Sequence, residues 1–181
     1  MSLFSAVEAG NVSEVKRLLE AGASPNYQNY YGHSALMLAI NKRSPELIQL
    51  LLPVTDPNIQ NVFGNSALIL AANNDYDNVV RSLLQSGAKV NISNKDGNTA
   101  LMCTTDSKII EMLILAGAEI NLKNNKQETA LYLAVNYDDL KAANVLLTYG
   151  ARPNSEILQA AIENENMSLI RVLQEYNRNR D

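Results

Sequence analysis

Four near-identical segments recur along the chain: Gly32-His33-Ser34-Ala35-Leu36, Gly64-Asn65-Ser66-Ala67-Leu68, Gly97-Asn98-Thr99-Ala100-Leu101 and Gln127-Glu128-Thr129-Ala130-Leu131. Successive copies lie 32, 33 and 30 residues apart. A period of this length marks an array whose units cannot bury their apolar faces alone and must stack on their neighbours. Such a stack presents an extended surface, better suited to binding than to catalysis.

A second ladder runs in step with the first, because each unit ends in an asparagine: Asn26, Asn58, Asn91, Asn121 and Asn154. In four cases Gly-Ala stands just upstream, at Gly22-Ala23, Gly87-Ala88, Gly117-Ala118 and Gly150-Ala151. The two ladders divide the single expected domain, 1–181, into a leading half-unit, 1–28, and full units 29–60, 61–93, 94–123 and 124–154. A closing cap and tail, 155–181, completes it.

Hydrophobic residues make up 46% of the 181 residues, with only 8 Gly and 5 Pro, so the chain has the composition of a folded array and not of a disordered segment. The net charge of −4 comes with scattered Lys and Arg, which disfavours a nucleic-acid partner. The start, Met1 to Glu8, lacks a signal sequence, and no apolar run approaches the ~20 residues of a membrane span. These features and a single cysteine point to a cytoplasmic protein without a disulfide framework or membrane partner.

Residues 61–93 show how one unit folds. Ser66 can cap a short helix starting at Ala67, with Leu68, Ala71 and Ala72 on one face and small alanines that admit a close neighbour. Asn73, Asn74 and Asp75 then favour a turn. A second helix near Asp77–Gln85 would bury Val79, Val80, Leu83 and Leu84 and end at Gly87. From Ala88 to Gly97 the chain extends into a finger with a tight Asn94-Lys95-Asp96-Gly97 turn.

Helix, turn, helix and finger in this order, with these residues, resemble the ankyrin repeat: Gly-x-Thr-Pro-Leu-His-x-Ala-Ala, a second helix ending Leu-Leu-x-x-Gly-Ala, and a hydrophobic-Asn pair. The resemblance covers essentially the whole chain. It implies an all-α, ankyrin-type helix-turn-helix solenoid with β-hairpin-like fingers, in which Leu158, Ala161 and Ile162 of the cap match Leu36, Ala39 and Ile40. The cap lacks a preceding finger.

Departures from the pattern are informative. Alanine replaces the proline in all four full repeats, and Met37, Ile69, Met102 and Tyr132 replace the histidine, exchanging a polar bond for burial. Thr104-Thr105-Asp106-Ser107 lacks about three residues of the inter-helix turn, and Leu52 to Pro57 replaces a regular Gly-Ala ending, so both places should be irregular. Gln127 stands where the other units have glycine. A positive φ there would carry strain of roughly 1 kcal/mol, unless the finger shifts.

The resemblance further implies that partners are held by the finger tips and the first-helix groove, the concave side of the stack. There the candidate protein-binding residues are Tyr27, Tyr30, Tyr31, His33, Val62 and Phe63, with Asn41, Lys42, Asn73 and Asn74 near the helix ends. Aromatic side chains dominate interface hot spots because they bury large area at little entropic cost. The bland alternative is that these rings only pack finger on finger or lie scattered. Later fingers carry Lys95, Asp96, Asn98, Asn125, Lys126 and Glu128, so the aromatic character is concentrated at one end.

Catalytic and cofactor chemistry finds little support. Cys103 takes the slot of Leu38, Leu70 and Leu133 and reads as a small hydrophobe. His33 is the only histidine, which argues against triads and metal sites. Asp75/Asp77 and Asp138/Asp139 recur with the fold as turn and helix-start residues. The favoured function is a non-enzymatic adaptor or regulatory scaffold, without cofactor and monomeric, because both ends carry charge: Glu8, Glu14 and Lys16 at one, Glu163, Arg171 and Glu175 at the other. The alternative is a microbial effector or toxin-immunity protein using the same face; a regulatory piece of an enzyme is more remote. Asparagines matching Asn91 and Asn121 are hydroxylated in some ankyrin proteins, though a structural duty is the simpler reading.

Overall fold

The computed structural model describes residues 2–178; residue 1 and residues 179–181, the extremities of the leading and closing segments, lie outside the described residues. Eleven α-helices are found there, in pairs: α1 (Leu3–Glu8) with α2 (Val12–Glu20), α3 (Ala35–Asn41) with α4 (Pro45–Leu51), and α5 (Ala67–Asn73) with α6 (Asp77–Gln85). The third full unit has only a 3₁₀ turn, Ala100–Met102, before α7 (Ser107–Leu115). Then follow α8 (Ala130–Asn136) with α9 (Leu140–Thr148), and α10 (Ser155–Glu163) with α11 (Met167–Arg178).

The recurring Ser or Thr starts three of the short first helices. Ser34 Oγ accepts from the Met37 N–H, Ser66 Oγ from Ile69 and Thr129 Oγ1 from Tyr132, each satisfying an amide the helix leaves unpaired. First helices stack in one row, α1 on α3 on α5, then the 3₁₀ turn, α8 and α10; second helices form the other row. Leu36, Met37, Ala39 and Ile40 are buried along this seam, as are Leu68, Ile69, Ala71 and Ala72. The residues standing in for the family histidine, Met37, Ile69 and Met102, are thus core residues, while Tyr132 is half-buried.

Each finger is closed by an asparagine. The Asn61 Oδ1 accepts the N–H groups of Phe63 and Asn65, and the backbone N–H of Asn61 donates to the Asn65 carbonyl. Asn29, Asn94 and Asn124 repeat this arrangement. The fingers are hairpin-like without forming strands; the single β-bridge among the described residues joins Ser93 and Thr99. Consecutive fingers join backbone to backbone: Val62 N–H donates to the Tyr31 carbonyl at 3.1 Å, Lys95 to Phe63 at 3.0 Å and Asn125 to Asp96 at 2.9 Å.

That close approach explains the glycine. Gly64 has φ +80°, and a Cβ there would lie 2.7 Å from the Lys95 backbone nitrogen, with equivalent clashes at Gly32 and Gly97. Gln127 adopts φ +64° and keeps the finger's bonding pattern, so the finger does not shift and the strain is accepted. A side chain fits there because the cap contributes no finger to stack on it. The inter-helix turns likewise need positive φ, taken by Arg43, Asp75, Asp138 and Glu165. Aspartate tolerates this region better than most residues, in keeping with the turn role read for Asp75 and Asp138.

A second ladder of side chains ties the units together behind the fingers. The Asn58 Oδ1 accepts from Lys89 N–H at 2.7 Å, Asn91 from Glu119 at 2.9 Å, and Asn121 from Arg152 at 2.8 Å. Their amide groups donate to the carbonyls of Gly87, Gly117 and Gly150. Asn154 instead caps α10 through the Ile157 N–H. Structural duty therefore falls on Asn91 and Asn121, as the simpler reading had it.

Three local outcomes differ from a regular stack. Leu52–Val54 forms a 3₁₀ turn after α4, and Ala100–Met102 replaces a first helix, the two irregularities the shortened segments foretold. In the cap the Ile40 match fails, since Ile162 is 47% exposed and Leu158 half-buried, while Ala161 is buried. Ile40 has neighbouring units on both sides; α10 has α8 on one side and no described unit on the other. Cys103 is half-buried, as are Leu38, Leu70 and Leu133 in the same slot of the other units, so this position lies at the edge of the core and not inside it.

Gly64→Ala should destabilise the fold by about 2–5 kcal/mol, combining left-handed strain with overpacking, whereas Gln127→Gly should stabilise it by about 0.5–1 kcal/mol. Chemical denaturation of both variants checks the opposite signs. Asn91→Ala removes three hydrogen bonds between units and should cost about 1–2 kcal/mol in the same assay, with the helical circular dichroism of the native state retained.

Candidate protein-binding face

The finger turn of residues 29–33 holds its rings outward by backbone geometry, because the Asn29 Oδ1 fixes the amides of Tyr31 and His33 at 3.0 Å each. Tyr30 is 92% exposed and meets Tyr31 edge-on at 5.4 Å between ring centres; the Tyr31 ring lies 6.4 Å from His33. His33 is half-buried, and this burial lowers its pKa, favouring the neutral imidazole. The next finger presents Phe63, 59% exposed, and Val62, also exposed. The Val62–Tyr31 backbone bond keeps the two fingers side by side.

The other named residues are placed differently. Tyr27 is exposed, but its ring faces Phe4 of α1 at 6.3 Å, apart from the Tyr30–Tyr31–His33 cluster. Asn41 and Asn73 are the last residues of α3 and α5, and Lys42 and Asn74 follow them as caps. Helices of seven residues are about 10 Å long, so these four lie on a rim across the first-helix row from the finger tips. Asn41, Lys42 and Asn73 are exposed there. Asn74 is engaged locally: its Nδ2 donates to the Leu70 carbonyl at 2.8 Å and its carbonyl accepts from Arg43, whose guanidinium lies over the Tyr76 ring at 5.2 Å.

Polar fingers continue the face beyond Phe63. There the three missing residues of the 94–123 unit open a notch of about 830 Å³ between fingers and first helices, lined by Met102, Cys103, Thr104, Thr105, Leu133 and Tyr137 among others. Of the residues lining it, Asn73 alone stood among the candidate contact residues. The signal was present in the shortened Thr104–Ser107 segment, which was legible as an irregularity but not as an opening. The Cys103 thiol is pushed up to about 11, by burial first and by the charge of Asp96 second, so it carries no thiolate near neutral pH.

A family model described as ankyrin repeats, three copies, matches residues 2–61, 36–124, 87–157 and 103–181. An ankyrin repeat protein of fowlpox virus is 30% identical over 196 residues, covering 98% of this chain and 33% of the viral protein. A Danio rerio protein named as a palmitoyltransferase is 55% identical over 49 residues, 27% of this chain and 8% of that one. The chain thus spans about a third of the fowlpox relative and a small part of the fish one. With overlapping matches along its length and the finger-helix-helix stack beneath them, the chain belongs to the ankyrin repeat family, whose repeats generally serve as protein–protein interaction modules.

Proposed function

We propose that this chain is a non-enzymatic adaptor or regulatory scaffold that holds one protein partner against its fingers and first-helix row. The working surface is the run of full repeats 29–60, 61–93, 94–123 and 124–154, flanked by 1–28 and 155–181. The observation that carries this reading is the group of outward rings, Tyr30, Tyr31 and Phe63, on two fingers locked together through their backbones. Rings that only packed finger on finger would be covered by their neighbours.

Around these anchors, His33 and Val62 extend the apolar patch, and Asn41, Lys42, Asn73 and Asn74 supply polar contacts on the opposite rim. Tyr27 adds a flank against Phe4. Partner and scaffold together would bury on the order of 1,200–2,000 Å². The mild charge of −4 with scattered bases favours a protein over a nucleic acid, and the protein is proposed to work as a cytoplasmic monomer without cofactor or membrane attachment.

The double variant Tyr31→Ala/Phe63→Ala should lose at least about 100-fold in affinity for a partner captured by the wild-type chain, since each ring would act as a hot spot. Both side chains are exposed, so thermal unfolding should move by no more than a few degrees. Affinity capture with both proteins as bait, followed by titration of the captured partner, measures this. Undiminished binding by the double variant would place the site elsewhere.

A further inference from the structure

The two ends of the finger ladder differ chemically. Between fingers, the residue after each opening asparagine gives its N–H to the finger before it: Val62 to the Tyr31 carbonyl, Lys95 to Phe63 and Asn125 to Asp96. Side chains reinforce the same seam. Gln28 Nε2 donates to the Gln60 carbonyl and Gln60 Nε2 to the Ser93 carbonyl, both at 2.9 Å. Asn94 Nδ2 reaches back to Asn65 Oδ1 at 3.0 Å, and Asn124 Nδ2 to Asn98 Oδ1 at 2.8 Å. Each interior finger is therefore bonded on both sides.

On the first finger the same groups meet no earlier finger among the described residues. Tyr30 holds the place of Val62, Lys95 and Asn125, yet its N–H makes no hydrogen bond there, and neither do the Asn29 Nδ2 group and the Gln28 carbonyl. The finger itself is complete, since the Gly32 N–H donates to the Asn29 carbonyl and the Asn29 Oδ1 takes the amides of Tyr31 and His33. Tyr30 is 92% exposed, against 42% for Val62, which has a finger before it. Tyr27 leans on Phe4 of α1, the helix that precedes this finger in the stack. Two donors and an acceptor thus stand beside apolar rings in the arrangement the ladder already uses, and a backbone edge left open in this way is a template for another segment of chain.

The other end is closed. The Lys126 carbonyl holds the place of the Tyr31, Phe63 and Asp96 carbonyls, but Gln127 follows it where glycine follows those. A Cβ on Gly32 would stand 2.7 Å from the Val62 nitrogen of the next finger, so the Cβ of Gln127 keeps a further finger away. The same clash limits what can reach Tyr30. A second copy of the chain would have to offer its last finger, the one whose tip carbonyl is unused, and its Gln127 would strike the Tyr30 backbone. A turn fits only if the residue after its accepting carbonyl has no Cβ.

We propose, on the reading that the partner is a protein, that the partner adds a finger of its own to this open edge. The added finger is a tight turn closing on glycine. The carbonyl before that glycine accepts from the Tyr30 N–H, and the Tyr30 ring packs against the turn.

The probe is a backbone-cyclised peptide with the chain's own finger sequence, residues 60–66, which carries such a turn around Gly64. Titrated into the full ¹⁵N-labelled chain, it should give saturable shifts at the amides of Gln28, Tyr30 and Tyr31 and leave those of Lys126 and Gln127 unmoved. The same peptide with Gly64→Ala should bind at least about tenfold more weakly, the scale of one lost hydrogen bond or more. Two variants of the chain separate backbone from ring. Tyr30 is the second residue of the Asn29–Gly32 turn, a place that suits proline, so Tyr30→Pro removes the unused N–H and keeps the finger, which its own spectrum verifies. Tyr30→Ala keeps the N–H and loses the ring. Tyr30→Pro should bind the peptide about tenfold more weakly than Tyr30→Ala. No shift at Tyr30, shifts at Lys126 instead, an equal response to the Gly64→Ala peptide, or equal binding by the two chain variants would each overturn the proposal. None of these measurements uses a captured partner or the Tyr31→Ala/Phe63→Ala variant, so the two readings fail separately.

Discussion

Backbone contact between consecutive fingers sets the register of the whole stack. From the second finger on, one N–H of each tip donates to a carbonyl of the finger before it, at 2.9–3.1 Å, and this brings the backbones so close that Gly32, Gly64 and Gly97 have no room for a Cβ. The asparagine that opens each finger makes such an approach possible, because its side chain takes two N–H groups inside the turn that would otherwise need water. The Ser or Thr two residues past the glycine position then starts the next helix. Finger closure, unit spacing and helix start are consequences of one short segment, and the remaining residues of each unit fill space between copies of it.

Much of this was legible because it repeats. Ser66 as a cap, the turn at Asn73–Asp75, the helix Asp77–Gln85 and the two irregular places follow from local chemistry that a linear reading can weigh. The closing role of Asn29, Asn61, Asn94 and Asn124 was less accessible, although these residues mark the unit starts. Asparagine suits many turns, and only the folded finger shows its oxygen reaching two amides. The exposure of Ile162 was hidden for a different reason: pattern matching assigns it the environment of Ile40, while burial depends on whether a unit lies beyond it.

The candidate face was legible in composition and not in arrangement. The sequence places five aromatic or branched residues in two fingers, but the pairing of Tyr30 with Tyr31, and of Tyr27 with Phe4 instead, depends on directions fixed by the turn. On the opposite rim, exposure separates Asn41 and Asn73 from Asn74, whose amide is used by its own helix. The notch was visible only as a deficit of three residues, since a deletion in a sequence has no volume until its neighbours stand around it.

Why a stack survives such a deficit follows from its nearest-neighbour energetics. Each unit contacts only the units beside it, so the loss at Ala100–Met102 stays local and the outer row carries the connection through α6, α7 and α9. The tie between units there is rebuilt with polar groups: Thr104 Oγ1 donates to Asp75 and accepts from the Asp106 amide, restoring a bridge where a helical turn is absent. A hydrogen-bonded bridge occupies less space than a packed helix, and the difference is the opening. Where a regular unit fills this space with the last turn of its first helix, the 94–123 unit leaves Thr104, Thr105 and the half-buried Cys103 lining an opening, so the same economy that weakens the stack at its centre gives it a surface its regular units lack.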